Sequence, residues 1–324
     1  MKIGIVGAGA IGGITGISLA RRAHTVSVLA RGQTLAAIRA RGWMLERNGE
    51  CLKADIAGSD DPEKLGVQDI LLIAVKGPAL SDAARAARPM IGPQTIIIPA
   101  MNGVPWWFLL SGRGSLRPTP LNSVDPDGTI AGAIPQESVL GCVVHLSARS
   151  GAPGVIVHQA GNRLILGETN GTQTARLEMT ADLFEDAGFE VVQSENIHRD
   201  IWYKLWGNMT MNPISAIAGA TSDRIIDDEL VHGFVLRVMA EAAKIGKRIG
   251  CEIRESGEER IGISRRMGAF KTSMLQDAEA GRPLEIDQLL AAPREIAQLV
   301  GVPTPNLDAL LGLARLYARS HGLY

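Results

Sequence analysis

The stretch that most constrains the fold is Met1–Gly16, MKIGIVGAGAIGGITG. A short apolar run, Ile3 to Gly7, leads into glycines at Gly7, Gly9 and Gly12. A small-residue helical pattern continues to Ala20, and Arg21-Arg22 mark its last turn. A strand turning sharply into a glycine-opened helix meets the physical requirements for holding a dinucleotide. Gly7 permits the turn, Gly9 lets backbone approach a pyrophosphate, and Gly12 lets the helix pack closely on the sheet. The phosphates would lie at the helix N-terminus, where unpaired N–H groups and the dipole favour an anion. Gly7, Ala8, Gly9, Ala10, Ile11 and Gly12 are therefore the candidate cofactor loop. Residues 3–20 carry no charge, so a signal peptide or a membrane span is the rival reading. The interspersed glycines, a positive charge at Lys2 alone and the lack of a small-residue cleavage site argue against both.

A second strand, Thr25 to Leu29, completes the opening of a βαβ unit, and its end bears on which nucleotide binds. Sites selective for NAD place an acid there to hold the ribose 2′-hydroxyl. Here the strand ends in Ala30-Arg31-Gly32. A guanidinium can grip a 2′-phosphate through a bidentate, charge-assisted contact, whereas an acid would repel it. NADPH is favoured, the alternative being an ordinary surface arginine.

Thirty-three Lys and Arg against 34 Asp and Glu leave a net charge of −1, without the basic footprint of a nucleic-acid or anionic-membrane binder. Cys51, Cys142 and Cys251 are odd in number and far apart, and no Cys/His spacing suggests a metal. Buried thiols in a reducing cytoplasm are the plain reading. The length, 324 residues, suits two domains.

Along the chain, Gln33–Arg41 predicts a short helix, and Trp43–Glu46 and Leu52–Ile56 predict strands around the Asn48-Gly49 turn. Asp69–Val75 and Gln94–Pro99 read as buried parallel strands, with helix 79–87 between them. Lys76 and Asn102 then stand at strand carboxyl ends, the edge where open α/β sheets bind ligands. Both also suit ordinary loops, Asn102 because Asn-Gly favours turns. Residues 111–136 lack periodicity and read as either a lid or a disordered excursion, preceded by an exposed-looking Trp106-Trp107 pair. Val139–Leu146, Gly154–His158 and Arg163–Leu166 are expected to close the sheet, followed by helix 172–187 and strand Phe189–Val192. The patterns turn helical at Asn196-Ile197, giving a domain of residues 1–195 and another of 196–324. The fold class is α/β, an N-terminal parallel-sheet domain of Rossmann type followed by an all-α C-terminal domain.

The helix starting near Arg199, RDIWYKLWGNMTMNPISAI, carries the candidate chemistry. At about 100° per residue, Lys204, Asn208 and Asn212 fall within about 80° of one another, and Trp202 and Trp206 lie about 160° from Lys204. A polar stripe thus opposes a tryptophan-bearing core side. The stripe could be a plain solvated face, but two Asn at i, i+4 are poor helix formers and unusual for that purpose. Pro213 is expected to kink or end the helix near Asn212. Later helical patterns cover 227–248, 286–300 and 306–317, with TSMLQDAEAGRPLEID between the first two.

Taken together, these residues resemble the ketopantoate reductase (2-dehydropantoate 2-reductase) family over nearly the whole chain. The likeness lies in the Gly7–Gly12 loop, Arg31, Val75-Lys76, Asn102-Gly103, WYKLxxNxxxNPISAI, and Ser273–Asp277 with Glu285-Ile286-Asp287. The last two blocks are the specific ones. The resemblance implies NADPH-dependent reduction of the C2 carbonyl of ketopantoate to pantoate, on the way to pantothenate and coenzyme A. It implies Lys204 as general acid and Glu285 as the carboxylate that binds the substrate hydroxyl. Asn208 and Asn212 match substrate-orienting amides, and Ser273 matches the contact to the substrate carboxylate. Asn102 matches a residue touching cofactor and substrate, and Lys76 and Arg31 match cofactor contacts. The implied partner is a small 2-keto acid, with no nucleic acid, membrane or metal, in a cytoplasmic protein for which a homodimer is admissible.

Three departures bear on the substrate side. Ser222 stands where the family often has a substrate-binding Asn, Leu289–Ala292 replaces an Asn-Gly pair, and the stretch after Asn102-Gly103 is long. Two alternatives therefore stay open: reduction of a different 2-keto acid on the same machinery, or a catalytically silent NADPH-binding protein.

Overall fold

In the computed structural model, which describes residues 1–111, 116, 118–266 and 268–324, the chain forms two units, Met1–Met101 with Gly128–Ile197 and Asn102–Asp127 with His198–Tyr324. The first unit runs β1 (Lys2–Val6), α1 (Ala10–Ala20), β2 (Thr25–Leu29), α2 (Gly32–Arg41), β3 (Trp43–Arg47), β4 (Glu50–Ala54), β5 (Ala57–Ser59), β6 (Ile70–Ile73), α3 (Leu80–Ala87), β7 (Ile96–Pro99), α4 (Thr129–Ala133), β8 (Leu140–Ser150), β9 (Val155–Glu168), α5 (Ala175–Asp186) and β10 (Glu190–Gln193). Strands β5-β2-β1-β6-β7 make a parallel sheet. Its central strands are buried continuously, as a sheet covered on both faces requires. The chain leaves β1 toward β2 and β5, then returns to β6 and β7 on the other side. The β1 end is therefore the topological switch point, where open α/β sheets bind ligands.

The strands expected to close this sheet do not join it. After one bridge, Ile97 to Val139, the chain builds a second sheet, β10-β9-β3-β4 with β8 antiparallel to β9. Residues 155–158 and Arg163–Leu166 are parts of β9, a strand of 14 residues that is far longer than the three- to five-residue strands of the first sheet. β8, at 11 residues, pairs along that length through two register shifts. The other edge of β9 is taken by β10 and β3, so the hairpin is built into the second sheet.

The second unit contains α6 (Ile197–Ala218), α7 (Ser222–Asp227), α8 (Glu229–Arg248), α9 (Gly257–Arg265), α10 (Ser273–Glu279), α11 (Ala292–Leu299) and α12 (Pro305–Ser320). The sequence also differs from the structure here, in several places. Residues 102–127, read as part of the first domain, belong with the helices. Trp106 and Trp107 are each 1% exposed. Trp107 meets the His198 ring edge-on at 5.4 Å, and Phe108 lies between His198 and Trp202. The aromatic run is thus core of the second unit. Of the 111–136 stretch, 112–115 and 117 lie outside the described residues. The described remainder is anchored: the Glu295 carboxylate of α11 accepts from Asn122 N (2.9 Å), Ser123 N (2.8 Å) and Ser123 Oγ (2.5 Å).

Helix α6 does not end at Asn212 but continues past Pro213 to Ala218. An interior proline costs about 3 kcal/mol. Met209, Met211 and Ile214 are buried around it, and each such side chain is worth about 1.5–3 kcal/mol. Packing outweighs the missing hydrogen bond.

In the first unit Glu168, at the end of β9, is buried beside Arg176. It accepts from Nε and Nη2 at 2.6 Å each and from the Thr174 hydroxyl at 2.6 Å. Burial pushes its carboxyl up, but the Arg176 and Thr174 hydrogen bonds outweigh that and hold it below its ordinary 4.5. The stability it contributes is fully present above pH 4.5 and is lost as pH falls through the lower folded value. Arg176→Met strands the buried carboxylate. A loss of about 3 kcal/mol is expected in urea unfolding at pH 7, shrinking as pH drops below that range.

Candidate active site

Each unit contains one cluster of candidate residues. In the first, Gly7 leaves β1 with φ +104°, and Gly9 forms the uncapped start of α1. A Cβ on Gly12 would come 2.1 Å from the Gly7 carbonyl oxygen, so glycine is obligatory there. A Cβ on Gly9 would meet nothing within 4 Å. The turn is therefore closed on its protein side and open on the other, and no side chain occupies the cradle between Gly7 and Gly12. That is the shape a pyrophosphate needs, and the residues fit a dinucleotide. Arg31 follows β2 as the N-cap of α2, and its side chain does not cap the helix. It is exposed, and among the described residues nothing engages its guanidinium. Lys76 is half-buried three residues beyond β6, at the carboxyl edge shared by these parallel strands.

The second cluster centres on Asn102. The Lys204 ammonium donates to Asn102 Oδ1 at 2.7 Å, and Asn102 Nδ2 donates to Glu285 Oε2 at 3.4 Å. Glu285 is 6% exposed. The amide orientation follows from the charges on either side, with carbonyl toward cation and NH2 toward carboxylate. A backbone device holds Asn102 in place. Gly103 has φ +76°, and Val104 N donates to the Gln288 carbonyl at 2.9 Å. Gln288 lies in a π-helical turn, Asp287–Ala291, that follows Glu285 directly. Such turns recur at functional sites.

The Glu285 segment is pinned on both sides. Leu284 N donates to Leu323 O at 3.0 Å, and the Tyr324 hydroxyl donates to Asp287 Oδ1 at 2.7 Å. Burial raises the Asp287 carboxyl against the pull of Tyr324, Arg315 and Arg319. Burial and the Asp287 contact push the Tyr324 phenol up to about 12.

Asn208 and Asn212 follow Lys204 on successive turns of α6, half-buried and buried respectively. Among the described residues neither amide makes a side-chain hydrogen bond, which is unlike a structural asparagine. Ser273 is exposed in the first turn of α10, where Thr272 supplies the cap. Ser222 is committed elsewhere: its hydroxyl donates to Gly268 O (2.8 Å) and accepts from Phe270 N (3.2 Å).

Lys204, Asn102 and Glu285 thus come together, with Asn208 and Asn212 along the same helix. The bridging role of Asn102 and the part played by Gln288 were missed in the sequence. The one hint was the Asn-Gly pair, which reads equally well as a turn.

The chain is similar to known proteins over its length. A family model described as ketopantoate reductase PanE/ApbA matches residues 3–106, and its C-terminal counterpart matches residues 196–318. The chain is 41% identical to a 2-dehydropantoate 2-reductase of Mesorhizobium japonicum over 100% of both chains. The crystal structure of a candidate ketopantoate reductase from Ralstonia solanacearum MolK2 is similar at TM-score 0.97 and 53% identity, covering 100% of this chain and 99% of that one. A 2-dehydropantoate 2-reductase structure from Methylococcus capsulatus is similar at TM-score 0.85 and 27% identity, covering 99% of this chain and 98% of that one.

A Cβ on Gly103 would fall 2.5 Å from Gln288 O and 2.7 Å from its Cβ. Gly103→Ala is expected to undo the Val104–Gln288 docking, cost about 1–3 kcal/mol of folding stability in denaturant titration, and abolish turnover with the cofactor loop untouched.

Proposed function

Because the chain belongs to the ketopantoate reductase family, we propose that it reduces the C2 carbonyl of 2-dehydropantoate to pantoate with NADPH, a step toward pantothenate and coenzyme A. The observation that carries this reading is the Lys204–Asn102–Glu285 chain, which holds an ammonium beside amides that have no other work. In this reading the Lys204 ammonium hydrogen-bonds the keto oxygen, stabilises the charge developing on it and delivers a proton there. Asn102 fixes the ammonium through its carbonyl. Glu285 receives the substrate hydroxyl, Asn208 and Asn212 orient the substrate, and Ser273 contacts its carboxylate. NADPH, when bound, supplies hydride to C2. Gly7–Gly12 would hold its pyrophosphate, with Lys76 as a further contact. Arg31, together with the unpaired N–H groups opening α2, would hold its 2′-phosphate.

A second reading keeps this machinery and changes the acid. It draws on Ser222, whose hydroxyl is used by Gly268 and Phe270, and on the apolar Leu289–Ala292 run. NADPH oxidation with 2-dehydropantoate beside a panel of 2-keto acids decides between the two. The first expects the highest kcat/KM for 2-dehydropantoate, and a better acid in the panel replaces the substrate but keeps the mechanism. Binding of NADPH with no turnover on any acid would overturn both.

Lys204→Ala should lower kcat by about 10²–10⁴-fold with little change in NADPH affinity; equal loss of both would remove its role as acid. Arg31→Ala should weaken NADPH by about 1.5–3 kcal/mol and leave NADH unchanged in a binding titration. Equal effects on the two nucleotides would reassign Arg31.

A further inference from the structure

Arg260 is a charged side chain for which neither the fold nor the reaction above has a use. It belongs to α9, whose start is fixed by the Ser256–Glu259 capping box. Its guanidinium reaches α6, with Cζ 5.4 Å from the centre of the Tyr203 ring. A Cβ on Gly207 would fall 2.8 Å from Nη2 and 3.1 Å from Cζ, so the head group occupies the place of the side chain that Gly207 lacks. Its Nε is buried with no acceptor, and among the described residues no hydrogen bond or ion pair engages the rest of it. Glu255, which shares Tyr203 with it, is taken by the Tyr203 hydroxyl at 2.6 Å. Half-buried arginines normally find a carboxylate, because a desolvated cation without one is unfavourable.

The position on α6 says what could supply the anion. At about 100° per residue, Gly207 points about 60° from Lys204 and about 100° from Asn208. With Tyr203 about 100° from Lys204 on the same side, the guanidinium lies on the flank of α6 next to Lys204 and opposite to the one on which Asn208 and Asn212 follow. Positions i and i+3 of a helix stand about 5–6 Å apart at Cβ. In a 2-keto acid the carboxylate is bonded directly to the carbonyl carbon, so the groups binding the two must stand side by side. The Lys204 ammonium and a guanidinium on the adjoining flank of α6 offer one cation to each group. The planar fork of a guanidinium matches a carboxylate as a lysine ammonium does not.

We infer that Arg260 is a substrate-binding residue that takes the carboxylate of the 2-keto acid while Lys204 serves the keto oxygen. The inference rests on the reaction proposed above and adds the residue that makes a free carboxylate a requirement. Its glycine partner, Gly207, is part of the same device.

The test compares wild type with Arg260→Met and Arg260→Lys. Calorimetric titration of the NADP-loaded protein with pantoate and with its primary amide is run beside steady-state kinetics on 2-dehydropantoate. In Arg260→Met the Kd for pantoate should rise about 10- to 100-fold and that for the amide should stay put. The KM for 2-dehydropantoate should rise in parallel, with kcat within about threefold. Arg260→Lys should fall between, and it carries the test alone if the Met variant does not fold. Equal weakening of acid and amide, a loss of kcat at constant KM, or a shift in thermal midpoint alone would overturn the inference and leave Arg260 a Tyr203-stacking residue. A wild type that prefers another 2-keto acid changes the substrate named above, and the same test is then run with that acid's reduced product and amide. A wild type that neither binds nor reduces any 2-keto acid overturns both readings.

Discussion

The docking of Asn102-Gly103-Val104 against the turn after Glu285 is the contact on which the candidate site depends. One backbone hydrogen bond, Val104 N to Gln288 O, sets the height of the segment. The missing Cβ at Gly103 sets its closeness. With both fixed, the Asn102 amide can reach Lys204 on one side and Glu285 on the other. The neutral amide accepts from the cation and donates to the carboxylate, so it meets each charge with the group of matching polarity. Charge on both flanks also forbids the flipped amide, because that would face NH2 to cation and carbonyl to carboxylate.

Helix α6 supplies the other half of this arrangement, and its rotation about its own axis is what aims Lys204. Two indoles set that rotation. Trp202 Nε1 donates to Ala242 O at 3.1 Å and Trp206 Nε1 to Met239 O at 2.8 Å, both on α8. A buried indole N–H left without an acceptor is unfavourable, so the two bonds resist any turn of α6 that would bring the tryptophans outward. The polar stripe is fixed by what lies opposite it. Pro213 is tolerated for a related reason: the methionines and isoleucine around it hold the helix together where a backbone bond is lost.

Features set by local chemistry were legible in the sequence. The Gly7–Gly12 turn, the βαβ opening and the Lys204/Asn208/Asn212 stripe each follow from spacing within a few residues. Features set by what lies far along the chain were not. Trp106-Trp107 looked exposed beside a polar stretch, yet their burial depends on His198 and Trp202, some ninety positions away. The β8–β9 pair looked like an addition to the first sheet, because alternation reports a strand and says nothing about its partner. Asn102-Gly103 looked like a turn, and it is one. Its placement comes from Gln288 and its amide's carboxylate partner is Glu285, both remote in sequence.

Residues of one type divide in this protein by whether their polar atoms are already taken. Glu241 spends both oxygens on Asn306 and Leu307 at the start of α12, and Glu295 spends its own on Asn122 and Ser123. Ser222 is used up by Gly268 and Phe270. Asn208, Asn212 and Arg260 are buried or half-buried and Ser273 and Arg31 are exposed, and no partner among the described residues satisfies the side chains of these five. Polar groups that folding leaves unpaired at buried or half-buried positions are costly. A ligand that pairs them recovers that cost as binding energy. The uncommitted set includes two amides, a hydroxyl and two guanidiniums, with one guanidinium in the cofactor-loop unit and the other beside Lys204. These are the donors and acceptors needed by a phosphorylated nucleotide and a small oxygen-rich acid. The committed set, equally polar, does no more than hold helices and loops together. Sequence cannot separate the two sets, because commitment is a property of neighbours.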